Sequence, residues 1–431
     1  WATFSPSLRW RIEPSAVWAE LQFHLLALSV FLVFIGGVYA ALRRLDWFDN
    51  EPDARAAGWL LVGLIFFGVI FSCSIAMLRE GTAGIADAYS RYQYEYIGDI
   101  GFGRTLKGLF TEYASKHEFL SIHAKVHPPG PIALLWVLSF VAGREALGLS
   151  LATIAVGTLA VVPLYYWVTD LLGRRAALTA CMLYTLMPSI VLFTATSADI
   201  LFMPFTIVTL FLFGRAMDRA SIGYAVAAGV AYAVASLLSF SLLTLGAYFA
   251  FVGLWRLRAR ETRFSVVQTA VVMLLAFLGL HLAVRLWSGF DVVEVFRLSK
   301  AQFDLDQHNL EKLLPRYPSW TWKILNPLAW VYFAGIPVSV LFFWRLAKPE
   351  AGTKALFVVF ALTLVVLDLA YLARGEGERS AMYILPFVVV PAAHAIDRMG
   401  QASGRLAPLV VTLCALAFQC WFTEVLFYTY W

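Results

Sequence analysis

Charge is what this chain has least of. Only 14% of its 431 residues are Asp, Glu, Lys or Arg, while 61% are hydrophobic. Soluble domains carry about 25% charged residues, so composition excludes a soluble globular enzyme. Cysteine is scarce too. The four present, Cys73, Cys181, Cys414 and Cys420, all lie inside apolar runs. None has the spacing of a zinc site, and no disulfide framework follows from them; they read as small apolar residues. No internal repeat, low-complexity tract or separate soluble domain is visible, and the sequence as given, starting at Trp1, shows no cleavable signal peptide. The net charge of +5 does not argue for a nucleic-acid partner. Basic loops on one face of a membrane account for it.

What is abundant is apolar length. The mean hydropathy is +0.74, and long apolar stretches recur from near residue 20 to the end, which predicts an all-α, polytopic transmembrane bundle. Expected spans are 21–42, 58–78, 146–168, 176–197, 200–214, 222–238, 239–255, 264–284, 325–345, 354–373, 380–397 and 406–428. The apolar segment 128–142 is short for a crossing of roughly 20 residues and reads as re-entrant or interfacial, giving about 12–13 spans in all. Basic clusters at Arg43–Arg44, Arg174–Arg175, Arg215 and Arg219, Arg256 to Arg263, Arg345 and Lys348, and Arg398 mark one side as cytoplasmic. The long loops 79–127 and 285–324 then face the other side, as does the tail with Arg9 and Arg11. The chain divides into residues 1–57, a tail with an extra span; 58–400, the main module; and 401–431, a last span.

Long loops in a compact membrane protein are usually functional. Loop 79–127 balances six basic residues against six acids. Within it Leu106, Leu109, Phe110 and Tyr113 share one helical face, predicting an interfacial helix over 103–117. Tyr89, Tyr92 and Tyr96 read as interfacial anchors. Loop 285–324 carries "DLDQHNLEKLLPRYPSW", a polar helical piece ended by Pro315 and Pro318, either a solvated cap or a lid.

Three charged constellations meet on the outer face in this topology. "IADAYSRYQYEYIGDI" supplies Asp87, Glu95 and Asp99; a carboxylate within hydrogen-bond reach of a hydroxyl can act as its general base. "SIHAKVHPPGPIALLW" supplies His123, Lys125 and His127, suited to phosphate oxygens. Its Pro128 and Pro129 restrict the backbone where the apolar helix begins, which aims His127. Two histidines without a close acidic partner are a weak metal signal, so no cofactor or metal is expected. "ARGEGERSAMYILPF" places Arg374, Glu376, Glu378 and Arg379 between two apolar spans, where ionisable groups are functional candidates. These side chains can also simply pair with one another. Asp199, in "ATSADILF", sits at another outer span end, and Asp368 lies within a span.

On these motifs the chain resembles the GT-C superfamily of membrane glycosyltransferases, in the group of the protein mannosyltransferases and the bacterial aminoarabinose transferase. The resemblance covers about residues 58–400 and rests on Asp87 or Asp99 after an early span, "VHPPGP", "GRRAALTACMLYTLMPS" followed by "TSAD", and the late "RGE-ER" turn. It departs at one point: the family's Asp-Glu pair reads Asp87-Ala88 here. The resemblance implies a polyprenyl-phosphate sugar donor in the bilayer, a hydroxyl acceptor that the sequence leaves unidentified, and an integral protein of the bacterial inner membrane with its site facing the periplasm or exterior. It implies inversion, with Asp87 or Asp99 as base. His123, Lys125, His127, Arg374 and Arg379 would hold the phosphate, while Glu95, Asp199, Glu376 and Glu378 would position substrate. Two rival readings are a non-catalytic subunit of a membrane complex, with partner chains, and a lipid-linked sugar transporter. Paired broken helices in matching halves, the usual pointer to transport, are not found in the sequence.

Overall fold

The computed structural model describes residues 21–48, 51–195, 197–313, 319–370, 375 and 377–427. The chain is a bundle of helices, as its apolar pattern requires. A bilayer leaves no water for free backbone groups, so spanning segments satisfy them internally. Among the described residues, seven helices are long and apolar enough to cross a membrane: Leu21–Arg44, Ala54–Leu78, Ala146–Leu172, Ala198–Arg219, Arg260–Ser288, Met382–Ser403 and Ala407–Leu426. Two bent pairs bring the number to nine if each is one crossing. The segments expected at 222–238 and 239–255 form shorter apolar helices, Ile222–Leu238 and Phe240–Arg256. A helix of 17 residues rises only about 25 Å, below a core of about 30 Å.

Helix ends follow local chemistry. Asp53 caps the second helix by accepting from the Ala56 N–H at 2.6 Å. Gly81, at φ +60°, ends it and turns the chain into the outer loop. Two expected spans that contain a Pro near their middle are broken, whereas Leu385–Ser403 continues through Pro391. Arg174–Thr185 meets Pro188–Thr194 at 47°, and Trp322–Phe333 meets Ile336–Ala347 at 108°. The sharper break passes through Gly335 at φ +96°. It would strand backbone groups in hydrocarbon, each costing several kcal/mol, roughly. Gln419 prevents this: its Oε1 accepts from the Ile336 N–H at 2.9 Å and its Nε2 donates to the Tyr332 carbonyl at 2.7 Å.

The core is centred on Arg174–Thr185, buried from Ala176 onward, and on the last turns before and through Leu385–Ile396. Leu21–Arg44 and Arg260–Ser288 are only 17% buried and form the rim of the bundle. Lipid tails are as apolar as leucine, so the interior is held by close packing rather than by expulsion of water. The Trp167 ring, 1% exposed, packs on Tyr248, Phe360 and Phe387.

The expected loops are compact. The predicted 103–117 helix is real over Leu106–Glu112, capped by Thr105, whose side chain accepts from the Gly108 N–H. Leu109, Phe110 and Tyr113 are buried while Leu106 is exposed. Phe110 stacks edge-on against Trp287 and Phe290, and the Thr111 hydroxyl donates to the Ser288 carbonyl at 2.7 Å. Loop 285–324 is mostly one helix, Val292–Leu313, longer than the sequence pattern suggested. It starts where Asp291 accepts from the Val293 and Glu294 N–H groups. Pro315 and Pro318, and the tail with Arg9 and Arg11, lie outside the described residues.

Candidate functional site

The second helix hands over at Gly81 to the short helix Thr82–Ser90. Asp87 on that helix is partly exposed and pairs with Arg91 at 2.6 Å. Tyr89, two residues on, points the other way: it is buried and its hydroxyl meets the Thr153 hydroxyl at 2.8 Å. Tyr96 is also buried, its ring against those of His123 and His127 at 6.1 and 5.8 Å. Only Tyr92, 52% exposed, is placed as an interfacial anchor would be. The expectation for Tyr89 and Tyr96 is therefore corrected. The loop folds back on the bundle, and a tyrosine gains more from packing its ring while its hydroxyl finds a partner.

Asp99 closes that loop onto the histidine segment. Both its carboxylate oxygens accept from the Ser121 N–H, at 3.1 and 3.3 Å. Backbone bonds from Ile122 to the Gln93 carbonyl and from His123 to the Tyr94 carbonyl complete the staple. Burial raises the Asp99 carboxyl above its usual range, opposed by the Ser121 hydrogen bonds and by nearby Lys125.

The short helix Ile122–Lys125 is held from below by Tyr113, whose hydroxyl reaches the Ala124 carbonyl at 2.8 Å and the His127 carbonyl at 3.0 Å. From the second outer loop, the Ser299 hydroxyl also reaches the His127 carbonyl, at 3.5 Å. Lys125 is partly exposed, and its own carbonyl is met by His117 Nε2 at 2.8 Å. The "HPPG" turn then starts the helix Gly130–Ala142 directly on the end of Ile222–Leu238. A Cβ at position 130 would stand 2.1 Å from the Leu237 carbonyl oxygen, so only glycine fits there. His127 is thereby set against Leu238 and pushed down to about 4, mainly by burial and further by His123 and Arg379; Asp199 and a bond to Leu238 oppose this. It is a neutral imidazole at pH 7, so any help it gives to a phosphate is a hydrogen bond and not a charge.

Two ion pairs flank His127. His123 Nδ1 lies 3.0 Å from Glu95 Oε1, with both residues buried. Glu95 Oε2 has no hydrogen-bond partner among the described residues. Across the site Arg379 Nε lies 3.5 Å from Asp199 Oδ2. Asp199 is oriented by a short helical turn, Ala198–Leu201, that begins where Ser197 accepts from the Asp199 N–H. Arg379 sits on the helical turn Gly377–Ser380, seated where a Cβ on Gly377 would come 2.8 Å from Trp330 Nε1. Glu378 is buried beside it, and its carbonyl accepts from the Ser189 hydroxyl at 2.9 Å.

The fold thus gathers Glu95, His123, His127, Asp199 and Arg379 around Tyr96, with Asp99 and Lys125 alongside. Asp87 stands at the edge of this group with Arg91. Arg374 and Glu376 lie outside the described residues. Among the described residues no group of three or more His, Cys, Asp or Glu could hold a metal ion. Asp368 lies near the end of Lys354–Ala370, and its carbonyl accepts from Nζ of Lys323, a residue of loop 285–324, at 2.8 Å. Sequence reasoning missed Tyr113, Ser121 and Ser299 as supports of the histidine segment. Tyr113 carried the one usable signal, a hydroxyl on an otherwise apolar helix face.

Residues 126–284, just over a third of the chain, match the family described as dolichyl-phosphate-mannose-protein mannosyltransferase. No curated protein sequence matches. Among solved structures, the chain is similar to the Archaeoglobus fulgidus oligosaccharyltransferase, crystallised in complex with Zn and sulfate, at 15% identity and a TM-score of 0.46. The alignment covers 83% of this chain and 53% of that one, so the chain spans about half the length of that protein.

Proposed function

From the family match and the cluster on one end of the bundle, we propose that this GT-C-type membrane glycosyltransferase moves a sugar from a polyprenyl-phosphate donor to a hydroxyl acceptor. The observation that carries the reading is the pairing of Arg379 with Asp199 next to His127, Lys125 and the Glu95–His123 pair, at the place where the membrane helices meet the first outer loop. A buried cation held by a partly buried acid is suited to a phosphate arriving from the bilayer, since desolvation strengthens the charge-assisted bond.

The reaction is an in-line displacement. The acceptor oxygen bonds to the anomeric carbon as the bond from that carbon to the phosphate oxygen breaks, inverting the centre. The electron pair leaves with the polyprenyl phosphate, and the acceptor proton passes to a carboxylate. Of the two candidate bases, Asp87 is the better placed to take that proton. It is partly open to the outer surface, whereas Asp99 is 7% exposed and has both oxygens bound to Ser121. Asp99 is then a positioning residue, holding His123 to His127 in place. Arg379 and Lys125 supply positive charge to the departing phosphate, neutral His127 a hydrogen bond, and Asp199 the orientation of Arg379. Glu95, braced by His123, faces the sugar or acceptor, and Glu378 keeps the Arg379 turn seated.

Transfer of radiolabelled sugar from a panel of polyprenyl-phosphate sugars to membrane acceptors tests this. Asp87→Asn should lower transfer by about 100-fold or more, the usual range for removing a general base. If Asp87→Asn transfers like the native chain while Asp99→Asn is dead with unchanged thermal stability, the base is Asp99. If native and both variants incorporate label equally, the chain is a non-catalytic scaffold.

A further inference from the structure

Away from the charged cluster, a cavity lies between Leu21–Arg44 and Ala54–Glu80, with Leu178 and Met182 also lining it. It measures about 510 Å³, within the size range of small-molecule sites. Its walls are apolar, with the stacked rings of Phe34 and Phe67 on one side. It exists because of two glycines. A Cβ at Gly37 or Gly63 would meet nothing within 4 Å, so the helices part where side chains would normally interlock.

The cavity sits nearer the end of the bundle opposite the outer loops, and helix geometry places cations under it. Arg44 is seven residues beyond Gly37, on the same face and about 10 Å further along. Arg55 is four residues before Trp59, which lines the cavity, so it lies on that face about 6 Å away. Both arginines are exposed, as is Trp59 at 69%. An exposed tryptophan at such a level sits at the boundary of hydrocarbon and headgroups. The acids of the intervening turn are largely engaged elsewhere. Glu51 accepts from the Arg174 N–H at 2.7 Å and lies 3.7 Å from Arg175, and Asp53 caps its helix. Exposed Asp46 is the remaining described acid of that turn.

We propose that this cavity is a binding site for one anionic phospholipid of the leaflet at that end, with an acyl chain between the two helices and the headgroup phosphate against Arg44 and Arg55. Charge complementarity selects the headgroup, since cations beside the membrane surface attract anionic lipids. The apolar notch selects the chain. The glycosyl-transfer reading does not enter this argument.

The test uses the full chain purified in detergent, with phosphatidylglycerol and phosphatidylcholine of identical acyl chains as probes. Phosphatidylglycerol should raise Tm more than phosphatidylcholine, and the Arg44→Gln/Arg55→Gln double variant should lose that difference. Gly63→Leu, which fills the notch, should lose the phospholipid that co-purifies with the native chain, read by mass spectrometry. Equal Tm shifts with the two lipids in the native chain overturn the proposal, as does a difference that survives in the arginine double variant. A polyprenyl lipid in place of a phospholipid, lost on Gly63→Leu, overturns the assignment of the occupant. Should Gly63→Leu not fold, the arginine variant still decides.

Discussion

The two ends of this bundle use their ionisable groups differently. At the end carrying loop 79–127, contacts form between short helices and turns: His123 with Glu95, Arg379 with Asp199, Arg91 with Asp87. At the other end, beside the pairs Arg215–Asp170 and Arg256–Asp218, helix-end arginines and carboxylates are shared. Glu350 takes both Arg345 at 3.0 Å and Arg398 at 2.9 Å, and Arg175 lies 3.7 Å from both Glu51 and Asp397. Arg345 is buried and also donates to the Lys348 carbonyl at 2.6 Å. A shared network binds helix ends together and has little charge to offer a ligand. On the proposed reading, a pair at a loop exchanges its partner for a substrate phosphate, so that one end is built to react and the other to hold.

Breaking that contrast is the most direct way to test it. Arg379→Gln should have the largest effect, lowering kcat/KM for transfer by about 100-fold or more, as removal of one transition-state donor commonly does. Tm in detergent should change far less. Arg345→Gln should do the opposite, costing about 2 kcal/mol of stability, in the range for bonds to charged groups, while leaving transfer at low temperature unchanged. If Arg345→Gln slows transfer with no loss of Tm, the division between the ends is wrong. Tyr113→Phe should be milder, about 1 kcal/mol for a hydrogen bond whose two carbonyl partners keep other neighbours. A rise in KM without a fall in kcat would show that its role is to hold the His127 segment for binding.

The smallest effect concerns pH. His127 is held down to about 4 in the folded chain against an ordinary value of 6.5. The folded state therefore keeps it neutral, and the stability this gives is present above pH 6.5 and declines as pH falls towards 4. Between pH 6.5 and 8 His127 does not titrate, so the pH–rate profile of His127→Gln should keep the native shape there. A limb that disappears in the variant would show that the histidine acts as a cation.

How much of this was legible beforehand varies by residue. The amphipathic face of Leu109, Phe110 and Tyr113 was readable because helix periodicity is local. The "HPPG" turn was readable as a rigid junction, but not the reason for its glycine, which is the Leu237 carbonyl more than a hundred residues away. Tyr89, Tyr92 and Tyr96 look alike in sequence, and only packing separated buried Tyr89 and Tyr96 from exposed Tyr92. Asp87 and Asp99 were equivalent as candidate bases. The Ser121 N–H made them different.

Apolar length, proline and glycine placement, and the bias of arginine to one set of loops determined by themselves that this is a helical membrane bundle with two elaborate loops on one side. These features act within a few turns of chain and need no partner. Tertiary structure alone decided that Asp199 meets Arg379, that Glu95 meets His123, and that a cavity opens between the first two helices. Each of those depends on how separate helices pack, and hydrophobicity, which is high in every spanning segment, carries no information about which neighbour each will choose.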